Sequence, residues 1–161
     1  MDGRFVKDWP RLVSWFPPTL WCAHAMITAP VALLAAVAAH AGFQVSVTVL
    51  VYPALARVPG EGWTVAHAAH SRAITPLVAV VYGLLAAASG WALFTGPGAW
   101  TLGCLAAVAV AVSVTVVLAA PAHGRLAAGH DPALLQRLLR ADRVRAVAAV
   151  LATLAAIPAV W

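Results

Sequence analysis

Residues 99–120, AWTLGCLAAVAVAVSVTVVLAA, carry no Asp, Glu, Lys or Arg. A bilayer core about 30 Å thick is crossed by about 20 helical residues, so this run is long enough to span one. Three more runs share its character: Met26 to Tyr52, Ala73 to Phe94 and Ala146 to Trp161, none of them holding a charged residue. Many positions are β-branched (Val45, Val47, Thr48 and Val49, for example), which in water would favour strand. In lipid the backbone has to satisfy its own hydrogen bonds, so helix wins over propensity. The expectation is an all-α integral membrane protein, an antiparallel bundle of four transmembrane helices.

Composition agrees. Hydrophobic residues are 63% of the chain and charged residues 9%, with a mean hydropathy of +0.91. A soluble domain usually carries about a quarter charged residues. Ten Lys+Arg stand against five Asp+Glu. The basic residues flank apolar runs, which points to membrane orientation and lipid headgroups and away from nucleic acid.

The fourth run is the shortest and is expected to extend backwards through Arg145 and Asp142 into the interface. Asp131-Pro132 is a good helix start, an N-cap followed by proline at the first helical position. Phe5, Trp9, Leu12 and Phe16 line one face of the tail, opposite Arg4, Lys7, Asp8 and Arg11. Residues 1–21 therefore read as an amphipathic interfacial segment stopped by Pro17-Pro18, and residues 22–161 as the four-helix domain. The first loop is expected at 53–72 and the third at 121–145. Together these hold seven arginines, against Arg4, Lys7 and Arg11 in the tail. The positive-inside rule places both loops in the cytoplasm and both termini outside. Cys22 and Cys104 fall near the same outer side. A disulfide between them is open, with two small apolar residues in a bundle the commoner alternative.

Six histidines are unusual in so apolar a chain. His40 falls mid-span, on a ridge with Gln44, Thr48 and Tyr52, each four residues apart. Polar groups at that depth are costly and suggest function, with interhelical hydrogen bonding as the plainer alternative. His67 and His70 share a helical face at i, i+3, and His123 follows Pro121 on the same side of the membrane. The candidate catalytic residues are His67, His70, His123, Tyr52 and Asp142. Candidate substrate-binding residues are His40, Gln44, Arg72, Tyr82 and Arg145. If a metal is present, His67, His70 and His123 are its ligands; the cofactor is otherwise open between none and a haem or transition metal. There is no Walker A loop, no GxGxxG opening a helix, no HExxH and no GxSxG.

Three stretches, AGFQVSVTVLVYPAL (41–55), PAHGRL (121–126) and LLRADRVRAV (138–147), resemble the anthrone-oxygenase-like family of small four-helix membrane proteins. The likeness runs from about residue 36 to 155. In that family the third segment's proline is followed by a polar residue, usually Asn; here it is His123. The family's Trp, His and Arg of the fourth segment correspond to Leu138, Asp142 and Arg145, so two of the three differ. Residues 44–78, with Gln44, Tyr52-Pro53, Trp63, His67, His70 and Arg72, are also similar to a group of uncharacterised bacterial membrane proteins. Arg72, Ile74 and Pro76 distantly resemble an element of haem-dependent protoporphyrinogen oxidases.

The resemblance implies an oxidoreductase acting on a lipophilic, aromatic or polyketide-like substrate. A cofactor-free cyclase would use the same parts. A non-catalytic membrane subunit or a haem or metal carrier is the alternative of a different class. The expected partners are the lipid bilayer, a lipophilic small molecule, and a second copy or a partner membrane subunit.

Overall fold

The computed structural model describes residues 27–161, so the expected N-terminal segment, His24 and Cys22 lie outside the described residues. Four helices are long and apolar enough to cross a membrane: α1 (Ala29–Leu55), α2 (Trp63–Phe94), α3 (Ala99–Leu126) and α4 (Pro132–Ala156). The described residues contain no strand.

Helix ends follow local chemistry. The Asp131 carboxylate accepts from the backbone N–H groups of Ala133 and Leu134 at 2.9 and 3.0 Å, with Pro132 just inside the helix. Between α2 and α3 the chain reverses over 95–98, where Gly96 takes a φ of +79° that a side chain would resist. α1 and α3 share a device. Each contains the pentapeptide VSVTV, at 45–49 and 112–116, and each widens there into a turn whose hydrogen bonds reach five residues back, Val47–Val51 and Thr115–Ala119. The Tyr52 N–H bonds to the Val47 carbonyl and the Ala120 N–H to that of Thr115. A proline follows each turn, Pro53 and Pro121; its missing N–H and its ring break the regular ladder behind it, which the wide turn absorbs.

Two loops are shorter than expected. Helix α2 begins at Trp63, after a tight turn over Gly60–Gly62, so 63–72 are helical rather than loop. Residues 120–126 continue α3 and 132–145 belong to α4, which leaves only 127–131 of the expected third loop. The polar residues in HAAHSR and LLQRLLRADR conceal helix because hydropathy scores each residue singly, whereas a helix needs only one apolar face.

Helix α4 packs along both α3 and α1, and α1 also packs on α2. Small buried residues, Ala36, Ala88, Ala149 and Ala152 among them, let these axes approach closely. Helices α2 and α3 meet chiefly through side chains. Along the bundle axis the interior has three zones. Towards the 95–98 turn lies a dry apolar cluster that includes Leu33, Val37, Leu85, Cys104, Val108 and Ala152. At the opposite, arginine-bearing end Leu55, Trp63, Leu126, Leu135 and Leu138 form a second apolar cluster. Between them lies a polar layer.

Candidate functional site

The polar layer begins beneath Trp63. Its indole, fully buried, donates to the Leu126 carbonyl at 2.7 Å and ties the start of α2 to the end of α3. His67, one turn further along α2, is 2% exposed; its ring stacks on Trp63 at 5.5 Å and meets the His123 ring at 4.4 Å. The His70 ring is parallel to that of His123 at 5.6 Å and lies 6.3 Å from the Tyr52 ring. The three histidines thus sit side by side from two helices, and the Nε2 atoms of His67 and His70 are buried with no hydrogen-bond partner. His130 packs on Trp63 at 4.9 Å from the loop side.

Deeper, Asp142 and Arg145 are not at the interface but inside the bundle. Asp142 is wholly buried. Its carboxylate accepts from Gln44 Nε2 at 2.5 Å, from the Thr48 hydroxyl, and from Arg145 at 3.2 Å. The other end of the guanidinium donates to the Tyr82 hydroxyl at 3.1 Å, and that hydroxyl is 2.9 Å from the Thr115 hydroxyl. Four helices are joined in this way: Gln44 and Thr48 from α1, Tyr82 from α2, Thr115 from α3, and the ion pair from α4. The pair is buried with its charges balanced and multiply hydrogen-bonded, the condition under which buried charge is tolerated. His40, 0% exposed, lies edge-on to Tyr82 at 5.1 Å, and neither of its ring nitrogens has a partner.

A cleft of about 370 Å³ between α2 and α3 reaches both groups. Tyr52, His67, His123, Thr115 and Arg145 line it, with Ile74 and Val78 on its apolar wall and exposed Thr75 and Ala120 at its edge. Arg145 retains a buried Nε with no partner. Ser71 and Thr75, also on the cleft, turn their hydroxyls back to the carbonyls of His67 and Ser71.

The candidate residues therefore fall into two adjoining clusters. His67, His70, His123 and Tyr52 form one; His40, Gln44, Tyr82, Asp142 and Arg145 form the other. Arg72 belongs to neither: it is exposed on α2 and does not line the cleft, so the structure offers it no part in an enclosed site. Asp142 bonds Gln44 and Arg145 of the second cluster, together with Thr48. Among the described residues no three His, Cys, Asp or Glu side chains are disposed to hold a metal ion, so His67, His70 and His123 as they stand do not fit a metal site. Cys104 is fully buried in the apolar cluster. Two participants escaped sequence reasoning. Thr115 carries no signal alone, but the repeated VSVTV would have paired it with Thr48. Trp63 entered only through the resemblance, although an indole placed one turn before HAAH had reason to pack on it.

No protein-family model, no curated protein and no solved structure matches this chain.

Proposed function

We propose that this chain is a small multi-pass membrane enzyme, an oxidoreductase that removes a proton from a lipophilic aromatic substrate and passes the resulting carbanion to dioxygen. The observation that carries this reading is the cleft between α2 and α3, where His67, His123, Tyr52 and Arg145 line one space beside the apolar side chains of Ile74 and Val78. The axial route is closed by Trp63, Leu126 and Leu138, so a substrate dissolved in the bilayer comes in sideways between the helices.

A neutral imidazole of His67 or His123 accepts the proton, which is histidine's ordinary role near neutral pH. Arg145, held by Asp142 and Tyr82, steadies the enolate oxygen as charge develops on it. The carbanion supplies the electrons. For a methylene beside a ketone, CH₂ and O₂ give C=O and H₂O, the hydroperoxide losing water with the proton returned by the same imidazole. Tyr52 orients the ring system.

The test is oxygen uptake by the purified protein with a tricyclic aromatic ketone bearing an acidic methylene. Uptake and quinone absorbance should rise above the protein-free rate. His123→Ala and Arg145→Ala should each lower the rate about 100-fold or more, as loss of a general base or an electrostatic donor does. Absence of both oxygen uptake and exchange of the methylene hydrogens for deuterium would overturn the reading. A Soret band or stoichiometric metal in the purified protein would replace it with cofactor chemistry.

A further inference from the structure

A second groove, of about 470 Å³, runs between α3 and α4 on the side of α3 turned away from His123. Its end next to the 127–131 loop is rimmed by Arg125, Arg137 and Arg140, all exposed. Arg137 and Arg140 are three apart and share a face of α4. Among the described residues none of these guanidinium groups is paired with a carboxylate; the ion pair found there is Arg145–Asp142. Beyond the rim the walls are wholly apolar. Pro121, Ala122 and Ala141 come first, then Leu118, Val117 and Val144. From Ala122 to Val117 this wall extends about 8 Å at 1.5 Å per residue, the depth of the upper part of an acyl chain.

We propose that this groove holds one anionic phospholipid of the arginine-side leaflet, its phosphate among the three guanidinium groups and an acyl chain along the α3–α4 seam. Charge complementarity selects the occupant. Three positive charges on one small rim attract phosphate and repel a choline or ammonium headgroup brought there without extra negative charge. A soluble phosphate would satisfy the rim but make no use of the apolar walls that continue from it, where Val117 and Leu118 are 66% and 53% exposed. The sequence of charge followed by hydrocarbon along the groove is that of a phospholipid. The groove shares no lining residue with the α2–α3 cleft, so this site stands independently of the proposed enzyme activity.

The experiment uses the full chain in phosphatidylcholine nanodiscs containing a minor fraction of phosphatidylglycerol, with retained lipid counted by native mass spectrometry. Wild type should keep one phosphatidylglycerol. R137Q/R140Q should weaken retention about thirtyfold, the effect of two membrane-surface arginines. R137K/R140K should keep most of it, and R57Q/R72Q, which removes equal charge elsewhere on the same end, should keep all of it. Should the glutamine pair fail to insert, wild type alone still decides: retention should favour phosphatidylglycerol over phosphatidylcholine and fall with added salt. Equal retention of the two lipids, an equal loss in R57Q/R72Q, or displacement of the lipid by millimolar inorganic phosphate would each overturn the proposal. The last result would mark an anion site without lipid character.

Discussion

Asp142 has no exposure to solvent and three donors around its carboxylate, and Arg145 depends on it for charge balance. Asp142→Leu removes the acceptor and strands a buried cation. We expect a loss of about 3–5 kcal/mol, the usual cost of breaking a buried pair from one side. Thermal unfolding in detergent measures it, and adding Arg145→Met should recover most of the loss, because an apolar pair leaves no orphan charge. A melting curve for Asp142→Leu equal to wild type would mean the two groups are not enclosed together. These residues also show where sequence reading stops. An apolar-run criterion ends the fourth span at Ala146, because a charge is scored as though it stood alone. The partners that make Asp142 tolerable, Gln44 and Thr48, are nearly a hundred positions away. The histidines were more legible, since His67 and His70 are local neighbours on one helix face and only His123 required knowledge of packing.

The wide turns in α1 and α3 aim side chains. Thr48 and Thr115 occupy equivalent places in the two VSVTV stretches. The Thr115 hydroxyl donates to the Ala111 carbonyl and meets the Tyr82 hydroxyl across the bundle, while the Thr48 hydroxyl, beside the Gln44 carbonyl four residues back, gives its proton to Asp142. A wide turn holds one more residue than a regular one. Deleting Val117, which faces outward within the α3 turn, should convert it to ordinary helix and leave His123 in register. Deleting Val110, in the regular part of α3, should rotate everything beyond it by about 100° and carry His123 out of the bundle. The measurement is monodisperse yield and melting temperature of the two deletions. The Val117 deletion should resemble wild type to within a few degrees; equal failure of both would remove the turn's role as a spare residue. The existence of four helices was plain from hydropathy. The start of α4 was legible too, in Asp131-Pro132, but the start of α2 was not, because the polar residues of its first turns hide an apolar stripe that only tertiary packing uses.

Orientation rests on charge. Arg57, Arg72, Arg125, Arg137, Arg140 and Arg143 are exposed at the same end of the bundle, while the 95–98 turn carries no charge. The positive-inside rule predicts that this end faces the cytoplasm. A reporter fused after Trp161 should accordingly signal the non-cytoplasmic side. A cytoplasmic signal with all four helices inserted would reverse the orientation and place the arginine-rimmed groove in the other leaflet.

Among the described residues the cluster around Leu33, Val37, Leu85 and Val108 holds one titratable group, the Cys104 thiol, and the Thr153 hydroxyl beside Val37 is turned to the carbonyls of Val37 and Ala149. Among the described residues, protons therefore have no titratable relay from His40 to the far surface. The polar layer is a blind alley: a proton lifted from a substrate leaves by the side on which it arrived. Any turnover there is electrically silent, neither drawing on the proton-motive force nor adding to it, and an ionophore that collapses the membrane potential should leave its rate unchanged.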